Sequence, residues 1–166
     1  MREILFKAKL KDGNRWIEGF YCSMRETTYC CAEDYERHPV PLYHLIAVDE
    51  MTDWGLPNKL RLYEVDPETL CEYTGLTDKN GNKIWENDIC DRKEKYPEIV
   101  KMNMGDWTLD YSYLFRSEYG RDYCNLGFYA GERNCVQVIG NIFDNPELLE
   151  VKDDTNKPEV VAEEGK

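Results

Sequence analysis

Tyr73-Thr74-Gly75-Leu76-Thr77-Asp78-Lys79-Asn80-Gly81-Asn82-Lys83-Ile84-Trp85-Glu86-Asn87-Asp88-Ile89 is the stretch that decides the fold. Asn80-Gly81 lies between two runs that alternate in polarity. A two-residue type I′ turn needs positive φ at both central positions, which Asn tolerates and Gly adopts freely, so the pair predicts a β-hairpin. Tyr73-Thr74-Gly75-Leu76 reads as the outgoing strand and Lys83-Ile84-Trp85 as the returning one. Glu86-Asn87-Asp88 reads as a second bend before Ile89-Cys90-Asp91, with Asn87 supplying the positive φ such a bend requires.

A second stretch, Val138-Ile139-Gly140-Asn141-Ile142-Phe143-Asp144-Asn145-Pro146-Glu147-Leu148-Leu149, reads as a strand followed by one helical turn opened by Pro146. These two stretches, in this order, resemble the YopX family of small phage and prophage proteins. The opening Arg2-Glu3-Ile4-Leu5-Phe6-Lys7-Ala8 resembles the start of the same family. The chain departs from the pattern at Asn87, where the family has Gly, and at Lys9-Leu10, near which the family has Trp. The first departure suits the bend; the second bears on packing of the first strand. The resemblance implies short antiparallel strands in an SH3-type barrel or roll and a phage context, and it implies no reaction.

Outside these stretches the same rhythm continues. Ile4, Phe6 and Ala8 open a strand, and residues 15–22 return after a turn at Lys11-Asp12-Gly13-Asn14, with Gly19 a candidate bulge. Thr27-Thr28-Tyr29-Cys30-Cys31 has β composition. Pro39 and Pro41 exclude a helix interior or a central strand around Val40. Leu45-Ile46-Ala47-Val48 is a buried run, and residues 60–65 alternate into another strand. Asp66-Pro67-Glu68-Thr69 suggests a helical turn capped by Asp66. Ile99-Val100-Lys101-Met102, residues 107–115, residues 123–129 and residues 135–139 complete the strands. The expectation is a mainly β protein, with an N-terminal β unit (1–66), either separate or packed with the next as one domain, a YopX-like SH3-type unit (67–149) and a flexible acidic tail (150–166).

The chain has 166 residues, enough for one ordinary domain or two small β modules. Its 12 Tyr and 4 Trp favour half-buried sheet surfaces. Asp and Glu number 33 against 21 Lys and Arg, a formal net charge of −12, which argues against binding to nucleic acid through its phosphates. No run approaches the roughly 20 apolar residues of a membrane span. Charge interrupts the N-terminus at once, so no signal peptide is read there. A cytoplasmic location follows as the expectation. It agrees with seven cysteines, an odd number without a Cys-x-x-Cys pair.

Chemistry is thinly represented. Cys22, Cys30, Cys31, His38 and His44 are close in sequence, but their spacing is irregular for a zinc site. A thiol nucleophile has only His38 and His44 as histidine bases, both read in a proline-flanked loop. Carboxylate pairs such as Asp49 with Glu50 are uninformative in so acidic a chain. The glycines form no phosphate-binding group. No catalytic residue, metal or cofactor is therefore assigned. The remaining candidate is an aromatic stripe: Trp107, Tyr111 and Tyr113, with Trp85, would form a groove for an extended peptide, although core packing is the commoner use of such a stripe.

The reading that follows is a non-enzymatic phage accessory protein, a β module that binds another protein and can self-associate through strand edges. Two alternatives stay open. One is an acidic mimic of nucleic acid that inhibits a host DNA-binding protein. The other is an enzyme with an unrecognised, cysteine-based site.

Overall fold

The computed structural model describes residues 3–114 and 122–150. Arg2, Phe115, all but the last residue of the segment 117–122, which reads as a polar loop, and all but the first residue of the tail expected over 150–166 lie outside the described residues.

Among the described residues, eleven strands form two antiparallel sheets. The first contains β1 (Phe6–Lys9), β2 (Trp16–Arg25), β3 (Leu42–Glu50), β4 (Lys59–Glu64), β5 (Cys71–Thr77) and β6 (Lys83–Trp85), in the order β4-β3-β2-β1-β5-β6. The second contains β7 (Asp88–Asp91), β8 (Glu98–Asn103), β9 (Asp106–Asp110), β10 (Tyr123–Asn125) and β11 (Gln137–Asn141), in the order β10-β9-β8-β7-β11. The described helical parts are α1 (Ala32–Arg37), 3-10 turns at Pro67–Thr69 and Pro146–Leu149, and one wide turn at Phe128–Glu132. The mainly β reading is correct. The closed SH3-type barrel is not obtained, because both sheets are open. Among the described residues, closure goes no further than one bridge from Leu10 to Val65, flanked by Lys11 N donating to Glu64 O at 3.1 Å and Asp66 N to Lys9 O at 2.9 Å. The first sheet also runs across position 66/67, since Phe6 pairs with Glu72 and Lys7 with Cys71.

The decisive hairpin forms with a different turn from the one expected. Gly81 has φ 84°, but Asn80 is not at positive φ. Gly81 N donates to Asp78 O at 2.9 Å, and Asp78 N to Asn82 O at 2.8 Å. That is a three-residue loop with the left-handed residue in third place. Asp78 selects it. Its buried carboxylate accepts from Asn80 N at 2.8 Å and Asn82 N at 2.9 Å, holding Lys79-Asn80 in a type I turn. The second bend is as expected, with Asn87 at φ 63°. Here the chain leaves the first sheet for the second. Three backbone bonds fix the corner: Glu86 N to Glu72 O (2.9 Å), Asn87 N to Val100 O (2.8 Å) and Ile142 N to Asn87 O (3.1 Å).

Two expected strands are shorter than read. β9 ends at Asp110 because its Oδ1 accepts from both Ser112 N (3.1 Å) and Ser112 Oγ (2.7 Å), which turns the chain. Tyr111 and Tyr113 therefore follow the strand rather than extend its stripe. β10 ends at Asn125, whose Oδ1 accepts from Phe128 N at 2.7 Å and starts the wide turn. Residues 27–31 form no strand. α1 ends at Arg37, just before the prolines, and β3 starts at Leu42, just after them. The 3-10 turn capped by Asp66, which accepts from Glu68 N, and the turn opened by Pro146 are both as expected.

Three core clusters hold the sheets. Ile84, Cys90, Val100, Trp107, Leu109, Leu126 and Val136 fill the second sheet. Leu5, Cys71 and Trp85 lie at the junction, and Ala8, Ile46 and Val65 lie inside the curve of the first sheet. Each fully buried Ile, Leu or Val contributes roughly 1.5–3 kcal/mol by burial.

Candidate functional site

The family-like stretches converge at the junction of the two sheets. Asp88, 2% exposed, receives Lys7 Nζ at 2.7 Å and Trp85 N at 2.8 Å. Lys7 also lies over the rings of Trp16 (5.2 Å) and Trp85 (5.4 Å). Burial raises the Asp88 carboxyl, and the Lys7 charge opposes that rise. Beside it, Asp144 receives Lys9 Nζ (2.7 Å), Trp16 Nε1 (2.6 Å) and Asn141 Nδ2 (2.9 Å). Burial pushes Asp144 up, but these donors prevail and hold it at about 2. Asp78 adds a third tie through Val138 N at 3.2 Å. Every carboxylate of this network is occupied by donors of its own chain. The network positions the corner and offers no open group for chemistry.

The candidate nucleophiles are no better placed. Burial pushes the Cys71 and Cys124 thiols up to about 11 and raises Cys90 well above its ordinary value, which keeps these thiols protonated. Cys22, Cys30 and Cys31 are exposed, and Cys31 Sγ lies 3.1 Å from Asp34 Oδ2. His44 Nδ1 is 2.7 Å from Tyr21 Oη. Among the described residues, no group of three or more His, Cys, Asp or Glu is arranged to hold a metal.

The four candidate aromatics are not brought together. Trp85 and Trp107 are buried in separate core clusters. Tyr113 is half-buried and donates to Pro97 O at 2.7 Å. Tyr111 lines a pocket of about 330 Å³ with Tyr96 and Tyr129 over the Arg92–Glu98 pair. Arg92 makes two short bonds to Glu98 (2.6 and 2.5 Å) and stacks on Tyr129 at 3.9 Å, so its charge is paired within the chain.

The open surface lies elsewhere, on β2, β3 and β4. Directly opposed residues in antiparallel strands share a face. The register Phe20–Ala47–Leu62 therefore places Phe20 and Leu62 on one face, with Met24 opposite Tyr43 and Leu60 opposite Asp49 on the same side. Phe20, Met24, Leu60 and Leu62 are all exposed. The loop that joins β3 to β4 also exposes Met51, Trp54 and Leu56. Its corner is a turn in which Leu56 N donates to Asp53 O at 3.2 Å, Asp53 Oδ1 accepts from Trp54 N at 2.7 Å, and Gly55 takes φ 76°. That turn leaves Trp54 92% exposed. The sequence signal was present in Asp53-Trp54-Gly55, a turn triplet around a tryptophan, but it has no period and was not singled out. Beyond the other end of β4, a cleft of about 800 Å³ opens between Leu10, Leu42, Val65, Pro67 and Phe143.

A family model described as YopX protein matches residues 5–150. No curated protein matches the chain by sequence. Among solved structures, the crystal structure of protein EF1440 from Enterococcus faecalis is similar, with a TM-score of 0.50 and 19% identity over 90% of this chain and 100% of that chain. At that identity the likeness concerns the fold alone. The residues the family model spans include the hairpin, the corner and the closing turn described above. The chain belongs to the YopX family.

Proposed function

We propose that this is a non-enzymatic phage or prophage accessory protein, a β module that binds another protein through the apolar face of β2–β4 and the tip between β3 and β4. The observation that carries this reading is Trp54, set out in solvent at the built turn that joins β3 to β4, the strand that exposes Leu60 and Leu62. A tryptophan gains most when a partner desolvates it, and rigid aromatic anchors dominate interface energetics. An exposed apolar patch on a folded domain marks an interaction surface. The placement of the acidic groups supports this reading over nucleic-acid mimicry. Asp78, Asp88, Glu98 and Asp110 point inward and are occupied, while Lys9, Lys11, Arg61 and Lys83 pair with other carboxylates.

The test is cross-linking of the full chain in infected or lysogenic cells, comparing wild type with Trp54→Ala and Leu62→Lys. The reading expects a protein adduct that both substitutions reduce at least tenfold while the variants stay folded. Identical adducts from all three proteins would overturn it.

A further inference from the structure

We propose that the partner for this surface is a second copy of the chain. β4 pairs antiparallel with β4 of the partner about a two-fold axis at Arg61, and the β3–β4 tip of each copy seats in the cleft of the other. The proposal rests on the reading of β2–β4 as a docking surface and names its occupant.

Backbone alternation defines the open edge. Val65 N donates to His44 O at 2.9 Å, continuing the β3–β4 register. Bonding alternates along an antiparallel strand, so Lys59, Arg61 and Tyr63 bond toward β3, whereas Leu60, Leu62 and Glu64 direct their backbone groups outward. Glu64 O is already taken by Lys11 N. Leu60 and Leu62 have no backbone partner on that side among the described residues. Unpaired backbone groups beside two exposed leucines are a template for one more strand.

A second β4 fits it. With Leu60 opposite the partner's Leu62, every open group of both copies is paired. The same register keeps the apolar faces on one side, so Phe20, Leu60 and Leu62 of one copy continue into those of the other. On the reverse side Arg61 faces the partner's Arg61, and each is already held by its own Glu50 at 2.8 Å. Lys11 pairs with Glu64, and Asn58 donates to Asp49 at 3.2 Å. The edge is thus locally balanced in a chain of net charge −12, and a second copy is not repelled there.

The ends of β4 argue for a copy over a foreign strand. Counting outward from Arg61, the first residue of β4, Lys59, comes level with the partner's Tyr63, and the tip precedes it. The tip with Trp54 and Leu56 therefore arrives at the cleft rim formed by Glu64, Val65, Asp66 and Pro67. That cleft mixes apolar residues (Leu10, Leu42, Pro67, Phe143) with polar ones (Lys9, Asn14, His44), a lining that suits an indole, which is apolar with one N–H donor. The tip lies before the open edge and the cleft after it, so one two-fold makes both contacts at once, as an isologous interface requires.

Sedimentation equilibrium of the full chain under reducing conditions tests this, over a micromolar concentration series. Wild type is expected to shift from 19.6 kDa to twice that mass. Leu62→Pro removes only an outward N–H and leaves the β3–β4 ladder intact. It is expected to weaken association at least tenfold, as are Leu62→Lys and Trp54→Ala. A strict wild-type monomer would overturn the proposal, and so would a dimer indifferent to both Leu62 variants. A wild-type monomer that still forms the Trp54-dependent adduct in cells would overturn self-pairing alone and leave the wider reading standing.

Discussion

Gly140 occupies a place where nothing larger fits. A Cβ there would lie 2.5 Å from Asn145 Oδ1, the side chain against which the strand turns. Gly140→Ala is expected to destabilise the fold by about 1–3 kcal/mol, read as a lower urea midpoint at unchanged slope. Asp144 gives a pH-dependent counterpart. Its folded carboxyl titrates at about 2, below the unfolded value, so its contribution is complete above the unfolded pKa and lost as pH falls through about 2. The stability difference between wild type and Asp144→Asn should be about 1 kcal/mol at pH 7, after discounting for partial exposure, and should shrink between pH 4 and pH 2. Denaturation series at these pH values check it. At this scale the sequence was legible where a residue's conformational preference acts alone. Asn87 takes the positive φ its bend needs. It was not legible for Asp144 or Asp88, whose donors come from β1 and β2, far away in the chain.

The hairpin of β5 and β6 shows what local preference leaves out. Asn80-Gly81 specified a turn, but Asp78 chose which one, by capping two backbone N–H groups within the loop and Val138 N outside it. Asp78→Ala is expected to cost about 2–3 kcal/mol and to weaken protection of β11 as well as the hairpin, measured by amide exchange. Asp110 and Asn125 act alike at the ends of β9 and β10. Each side chain caps the next turn and stops a strand that polarity alone would extend. The helical turns at Asp66-Pro67 and Pro146 were legible because cap and proline are both local signals. The β composition of residues 27–31 gave no strand; the chain there leads straight into α1.

Over the whole molecule, the sheet order depends on pairings that no local pattern encodes. β1 joins β2 on one side and β5 on the other, which ties the N-terminal strands to the hairpin across the expected division at 66/67. The same topology leaves β4 at an edge, with its leucines in solvent. The aromatic alternation around Trp107 reads as a groove or as core; burial takes Trp107 and Trp85 into the core and leaves Trp54 exposed. Because Trp54 and Leu62 touch little of their own chain, Trp54→Ala and Leu62→Lys should leave monomer stability within about 0.5 kcal/mol of wild type, measured by denaturation in dilute solution.

Residue-resolved amide exchange along β4 tests most directly whether the protein acts through this edge. In dilute solution the account predicts alternation, with Arg61 and Tyr63 protected by β3 and Leu60 and Leu62 exchanging freely. At high concentration, Leu60 and Leu62 should become protected too. Leucine amides that stay open while another surface gains protection would contradict it.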